Sequence, residues 1–279
     1  MTTWFITGAS SGLGAALAAA VLDRGHDAVV TARNADDVRA LVDRYPERAL
    51  AAPLDVTDHD QIVAAVAAAT ARFGAVDVLV NNAGHGYRAA VEEAAPDEVA
   101  ELFATNLFGP IDVIKAVLPQ MRARRSGTIV NVSSIGAPRS NPASGYYTAT
   151  KAALEGVSDA LNREVGPLGI RVVVVEPGAF RTDFAGRSLM QSRDVIADYA
   201  DTAGKRRKEN DQVHGTQPGD PDRAAQALIV ALEGAEVPFR LLLGSDAVRI
   251  VREEYQSRIE EIDAWAHIST TTDYDAKEA

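Results

Sequence analysis

The chain has 279 residues, 47% of them hydrophobic and 24% charged, with 21 Gly and 12 Pro, a composition that excludes disordered, collagen-like and coiled-coil proteins and predicts one sizeable core. Lys and Arg number 28 against 39 Asp and Glu, a formal charge of −11, so the molecule as a whole repels phosphate backbones and anionic membranes, and neither nucleic acid nor membrane is an expected partner. The absence of cysteine excludes disulfides, zinc–thiolate sites, iron–sulfur clusters and thiol catalysis; no metal site and a cytoplasmic address are expected.

The start of the chain, Met1-Thr2-Thr3-Trp4, lacks the basic and apolar regions of a signal peptide. Apolar runs such as 15–22 and 62–69 fall short of the ~20 residues of a membrane helix. Short β-branched runs alternate with Ala/Leu-rich helical stretches, the pattern of repeated βαβ units and a parallel sheet. Strands are predicted near 4–7, 28–32, 49–54, 76–81, 128–133, 171–176 and 240–243, mostly apolar without alternation, as strands covered on both faces should be. Helices are predicted over 12–24, 35–44, 59–73, 96–125, 146–165 and 221–233. No Pro/Gly/Ser-rich linker divides the chain, so one domain over 1–268 is expected, followed by a polar tail at 269–279. The polar stretch 180–219 breaks the rhythm and reads as a long irregular lid over a binding site. Its Lys205-Arg206-Arg207-Lys208 cluster reads as a solvated face, or as a lure for an anionic substrate.

The first predicted strand runs into Thr7-Gly8-Ala9-Ser10-Ser11-Gly12-Leu13-Gly14 and then a helix. Three glycines between strand and helix allow a tight turn, close approach of a pyrophosphate and tight helix packing, and the helix N-terminus favours an anion. Gly8 to Gly12 also spell the G-x-S-x-G nucleophile elbow of hydrolases. Only seven residues precede Gly8, so no earlier strand lends the oxyanion donor that an elbow needs. None of His26, His59, His85, His214 and His267 stands in a recognisable triad setting.

The second strand ends Val30-Thr31-Ala32-Arg33. A guanidinium there, with no carboxylate at the strand end, suits a ribose 2′-phosphate better than a free ribose, though a surface arginine would look the same. Asn81-Asn82-Ala83-Gly84 ends the fourth strand, where α/β sites form. Inside the long helical pattern, the ring of Pro110 crowds the carbonyl four residues back, that of Asn106. A carbonyl so freed can hold a relay water, or the pair is only a kink. Tyr147 and Lys151 stand at i and i+4 on one helix face, and a cation beside a phenol favours the phenolate, which makes Tyr147 a candidate acid and base. Glu176-Pro177-Gly178 with Thr182 is a rigid turn able to hold an amide ring group, or a plain turn into the lid.

In this order and spacing, T-G-x-x-x-G-x-G at 7–14, N-N-A-G at 81–84, Asn106, Ser134, Y-x-x-x-K at 147–151 and P-G-x-x-x-T at 177–182 resemble the short-chain dehydrogenase/reductase family. The resemblance implies a Rossmann-type doubly wound parallel sheet and NAD(P)-dependent interconversion of a small-molecule alcohol and carbonyl. It implies Tyr147 as acid/base, Ser134 as the donor orienting the substrate oxygen, Lys151 lowering the Tyr147 pKa and holding the nicotinamide ribose, and Asn106 holding a relay water. It assigns Gly8, Ser10, Ser11, Gly12, Leu13 and Gly14 to the pyrophosphate and its sugars. Asp55 and Val56 fall to the adenine, and Asn82, Ala83 and Gly84 to the adjacent ribose. Pro177, Gly178, Phe180 and Thr182 fall to the nicotinamide. Arg33 matches the basic position of NADP-preferring members, so NADP is expected, with NAD possible. The stretch 155–184 is most similar to the hydroxysteroid and retinol dehydrogenase branch. Helices bearing the Asn and Tyr positions form interfaces in this family, so a homodimer or homotetramer is expected. A silent dinucleotide-binding sensor or scaffold of the same fold is the alternative, and an intact Asn106, Ser134, Tyr147, Lys151 set speaks against it.

Overall fold

The computed structural model describes residues 1–186, 188–213 and 215–274. Seven strands form one parallel sheet: β1 (Thr3–Ile6), β2 (Asp27–Ala32), β3 (Ala49–Pro53), β4 (Val78–Asn81), β6 (Gly127–Val132), β7 (Ile170–Pro177) and β9 (Arg240–Leu243). Two further strands, β5 (Gly86–Arg88) and β8 (Leu189–Gln191), pair with each other outside it. The order in the large sheet is β3-β2-β1-β4-β6-β7-β9. It reverses between β1 and β4, the kind of switch point where a crevice opens at the carboxyl ends of the strands.

Burial explains why the strands read as unbroken apolar runs. Trp4 and Ile6 of β1 belong to one core cluster and Phe5 to the other. On the first face lie α1 (Gly12–Asp23) and α8 (Pro221–Glu233), through Leu17, Val21, Leu228 and Ile229. On the second lie α3 (His59–Phe73), α5 (Gly109–Arg124) and α6 (Gly145–Val165), through Ile62, Val113, Val117 and Leu161. The predicted helix 35–44 divides into a 3₁₀ turn, Ala35–Val38, and a short α2 (Arg39–Arg44).

The predicted helix 96–125 is α4 (Pro96–Phe103), a π turn at Ala104–Phe108, and α5. Widening the turn absorbs the missing Pro110 donor without a break. As one helical stretch, Pro96–Arg124 has the length and mean hydropathy, 1.3, of a membrane span. Here its apolar residues Val113, Ile114, Val117 and Met121 are buried against the sheet. Short apolar runs in the sequence do not anticipate that total, because it accumulates across the turn.

Two expectations are corrected. The 180–219 stretch is not irregular: it contains a 3₁₀ turn at Asp183–Ala185, β8, a second at Ala197–Tyr199, a π turn at Ala200–Gly204 and α7 (Lys205–Val213). The polar tail expected at 269–279 begins with ordered turns, since α9 (Ser245–Ser269), a helix absent from the predicted elements, runs into it and a 3₁₀ turn covers Thr270–Thr272. Of the predicted tail, 275–279 lie outside the described residues, as does His214.

Candidate active site

The carboxyl ends of β1, β2, β4, β6 and β7 open into one cavity of about 620 Å³. Gly8 (φ 65°) and Gly12 (φ 58°) hold the left-handed conformations that carry the chain from β1 into α1. Gly14 sits where a Cβ would lie 2.4 Å from both the Gly8 carbonyl and Asn82 Nδ2. Two strand ends are stitched here: the Thr7 hydroxyl accepts from the Asn82 and Ala83 N–H groups, both at 2.9 Å, and Asn82 Nδ2 donates to the Thr7 and Gly8 carbonyls, both at 3.0 Å. Ser11 begins α1 without a side-chain cap, and no acid stands in the first turn. The leading N–H groups are thus left for an anion, and a bare glycine cradle surrounds them, so these residues fit a dinucleotide pyrophosphate.

Arg33, Asp55 and Val56 line the end of the cavity nearer β2 and β3. Asp55 accepts from the Thr57 N–H at 2.9 Å and from its hydroxyl at 2.7 Å. The carboxylate is therefore fixed at the wall. Asn82, Ala83, Gly84, Pro177, Gly178, Phe180 and Thr182 line the cavity as well, with Ser10, Ser11, Gly12 and Leu13.

Ser134, Tyr147 and Lys151 meet at the far end. Ser134 follows β6 and its Oγ accepts from the Gly136 N–H at 3.0 Å. Lys151 Nζ donates to the Val132 carbonyl at 2.9 Å and stands 5.9 Å from the centre of the Tyr147 ring. Burial lowers the Lys151 pKa to about 8, against the opposing pull of Glu155. Burial also raises Tyr147 above its ordinary value, and the groups that work against this rise are Ser134 and Arg88. The expectation that Lys151 lowers the Tyr147 pKa is thereby corrected for this structure. The ammonium faces the ring and is tied to a carbonyl, while the phenol is desolvated, and burial wins. The Phe184 ring packs on Tyr147 with centres 5.8 Å apart.

Two expected residues do not reach the cavity wall. Gly14 is buried behind the glycine turn, where its role is close packing. Asn106 is fully buried, and its side chain clasps the His85 backbone, accepting from the N–H at 3.0 Å and donating to the carbonyl at 2.9 Å. Its place in the π turn agrees with a carbonyl displaced by Pro110, while its side chain does a second job that spacing did not reveal. Below the site, Asn81 donates to Asn131 at 2.9 Å and Asn131 to Ser158 at 2.8 Å, a buried chain that ties β4, β6 and α6 together.

Sequence reasoning missed His85, Arg88, Phe184, Arg206 and Gln217, all of which line the cavity. His85 and Arg88 follow directly on N-N-A-G and were within reach of a local reading. Arg206 belongs to the basic cluster, but its position depends on how the 180–219 segment folds back. Its neighbour Arg207 contradicts the solvated-face reading: it is buried, pairs with the buried Glu93 and donates to Ser192 at 2.9 Å. Burial pushes the Glu93 carboxyl up, yet hydrogen bonds from Arg207 and from the Ile196 and Ala90 N–H groups outweigh it and hold the carboxyl below its ordinary range.

Against known proteins, residues 2–192 match the family model described as short chain dehydrogenase. The oxidoreductase BOA17 of Botryotinia fuckeliana is 39% identical over 260 residues, 93% of each chain. The crystal structure of a short-chain dehydrogenase from Streptomyces avermitilis has a TM-score of 0.91 and 43% identity, covering 98% of this chain and 100% of that one. An alcohol dehydrogenase from Thermococcus sibiricus, complexed with 5-hydroxy-NADP, has a TM-score of 0.72 and 26% identity, covering 87% of this chain and 96% of that one.

Proposed function

Because the chain belongs to the short-chain dehydrogenase family, whose model spans residues 2–192, we propose that it interconverts an alcohol and a carbonyl using NADP(H) in preference to NAD(H). The observation that carries this reading is the convergence of Ser134, Tyr147 and Lys151 on the cavity whose other wall is the open glycine turn. The dinucleotide, when bound, supplies the hydride for carbonyl reduction. Gly8, Ser10, Ser11, Gly12 and Leu13 would hold its phosphates, and Pro177 to Thr182 its amide end.

In this mechanism the Tyr147 hydroxyl gives its proton to the carbonyl oxygen as the alcohol forms, and takes it back in the oxidative direction. Burial raises the Tyr147 pKa, so the hydroxyl carries its proton at neutral pH and can donate it. Ser134 donates to the same oxygen and orients it. Lys151, charged below about pH 8 and tied to the Val132 carbonyl, would hold the nicotinamide ribose beside Tyr147. Asn106 positions His85 and the neighbouring cavity wall through its paired hydrogen bonds. Phe184 covers one face of Tyr147 and keeps water from it. The 180–219 segment acts as the lid, and the exposed Phe108 and Val157, on the helices carrying Asn106 and Tyr147, support a homo-oligomer.

Replacing Tyr147 with Phe removes the transferable proton and should cut turnover by about 10²- to 10⁴-fold, with NADPH binding retained by fluorescence titration. Full turnover in that variant would refute the role. NADPH binding without turnover of any ketone, aldehyde or quinone by the unaltered protein would favour a silent sensor. The choice of dinucleotide is tested by Arg33→Ala, expected to weaken NADPH about tenfold or more and leave NADH nearly unchanged. Equal losses for both would take the 2′-phosphate away from Arg33.

A further inference from the structure

The catalytic end of the cavity receives two guanidinium groups from separate elements, Arg88 from the end of β5 and Arg206 from the first turn of α7. Arg88 donates one bond, to the Tyr87 carbonyl at 3.2 Å, and its Nε is buried with no partner. Arg206 reaches Glu209 at 3.4 Å, and its Nε is likewise buried with no partner. Among the described residues Arg88 has no ion pair. The adjacent Arg207 shows what the fold does with an arginine it buries for structure, since Glu93 and Ser192 neutralise and bond it. Arg88 is denied such a partner, and Arg206 has a half-exposed i,i+3 pair with Glu209 that leaves its Nε unsatisfied; both groups line the site.

Apart from Glu209, which pairs with Arg206 and is not part of the cavity lining, the surroundings supply little negative charge to the two groups. Five cationic side chains and two carboxylates line the cavity, in a protein whose formal charge is −11. Of those carboxylates, Asp55 is held by Thr57 near Arg33, and Glu101 is an exposed residue of α4. Buried donors without acceptors, on two like charges in one pocket, lack the partner that makes such burial favourable. A forked oxyanion is the group that satisfies two guanidiniums at once.

We propose that Arg88 and Arg206 form an oxyanion subsite, and that the substrate is an alcohol or carbonyl compound carrying a carboxylate or phosphate that this pair grips while Tyr147 faces the reacting oxygen. The substrate class rests on the hydride-transfer reading above; the subsite itself does not. Burial and Arg206 together pull the Arg88 pKa down to about 10, and Arg88 in turn works to lower Tyr147. An anion between the arginines relieves the first effect and screens the second. Filling the subsite therefore tightens the hold of Tyr147 on the proton it donates.

The test uses the full chain saturated with NADP⁺, so that the dinucleotide's own phosphate sites are filled and no ketone can be reduced. Calorimetry then compares a series of oxo acids, from laevulinate upward in chain length, each with its methyl ester, and dihydroxyacetone phosphate with dihydroxyacetone. The best charged member should bind about tenfold to a hundredfold more tightly than its neutral partner. Whether that member is an acid or a phosphate identifies the oxyanion. Arg88→Leu and, from the other element, Arg206→Gln should each collapse that ratio. Equal binding of charged and neutral partners, no binding of any charged member, or a ratio that survives both substitutions overturns the subsite. Arginine-dependent binding with no turnover on NADPH leaves the subsite standing and removes the hydride-transfer reading instead.

Discussion

The two halves of the cavity are held in different ways. The glycine half is held through its backbone: the Thr7 N–H donates to the Val80 carbonyl at 3.0 Å and the Ala9 N–H to the Thr31 carbonyl at 2.8 Å, while the Thr7 hydroxyl and the Asn82 amide, two short neutral side chains, bond to backbone groups across the ends of β1 and β4. The half formed by β5, β8 and α7 is tied by charged side chains. Arg207 meets Glu93, Arg193 meets Asp97 at 2.8 Å and Glu98 at 3.0 Å, and the Tyr199 hydroxyl donates to Glu92 at 2.7 Å. A backbone-held wall fails when an atom is added to it. A charge-held wall fails when one partner is removed.

The largest structural effect is therefore expected from Arg207→Ala. It would leave Glu93, 2% exposed, with backbone donors and no cation. An uncompensated buried charge costs about 3–5 kcal/mol, which should lower the melting temperature by roughly 10 °C or, if only this segment opens, speed proteolytic cleavage within 180–219. A melt and a cleavage rate both matching the unaltered protein would mean that the ion pair holds nothing. Gly14→Ala tests the other half. A methyl 2.4 Å from the Gly8 carbonyl and from the Asn82 amide should cost about 1–3 kcal/mol and weaken NADPH binding, with the cleavage rate of 180–219 unaltered. NADPH affinity equal to that of the parent would show that the turn yields where its hydrogen bonds say it is rigid.

The same contrast explains what could be read from residues alone. Glycines at positive φ, a Tyr and a Lys one turn apart, and strands apolar on both faces are local requirements that leave local marks, and they located the sheet, the turn and a Tyr–Lys pair that lines the cavity. Partners distant in sequence leave none. β5 has three residues and finds β8 about a hundred positions later. Arg207 is buried because Glu93 waits 114 residues earlier. Helix α9 was missed because, of its 25 residues, Ala247 and Val251 are the buried ones, and a weakly buried helix shows no clean apolar stripe. Tyr147 is the instructive case: spacing located its cation correctly and misjudged its pKa, because burial is set by Phe184 and the cavity walls, which spacing does not encode.

The smallest expected effect lies behind Lys151 and breaks the simple division, for an electrostatic liability sits inside the backbone-held half. Glu176 of β7 is 1% exposed and neither of its carboxylate oxygens has a hydrogen-bond partner. Burial first, then the neighbouring Glu155, pushes its pKa from 4.5 to about 7, although Arg240 lies 3.6 Å away. A carboxyl whose pKa is raised by folding binds its proton more tightly in the native state, so its stabilising contribution is complete below 4.5 and disappears as the pH rises through about 7. Glu176→Gln keeps the shape and removes the titration. Its melting temperature should match that of the parent near pH 4.5 and exceed it at pH 8, the gap opening between those values. Parallel curves across that range would mean that Arg240, itself 41% exposed, neutralises the carboxylate fully, and that even this buried acid is governed by side-chain pairing rather than by the sheet around it.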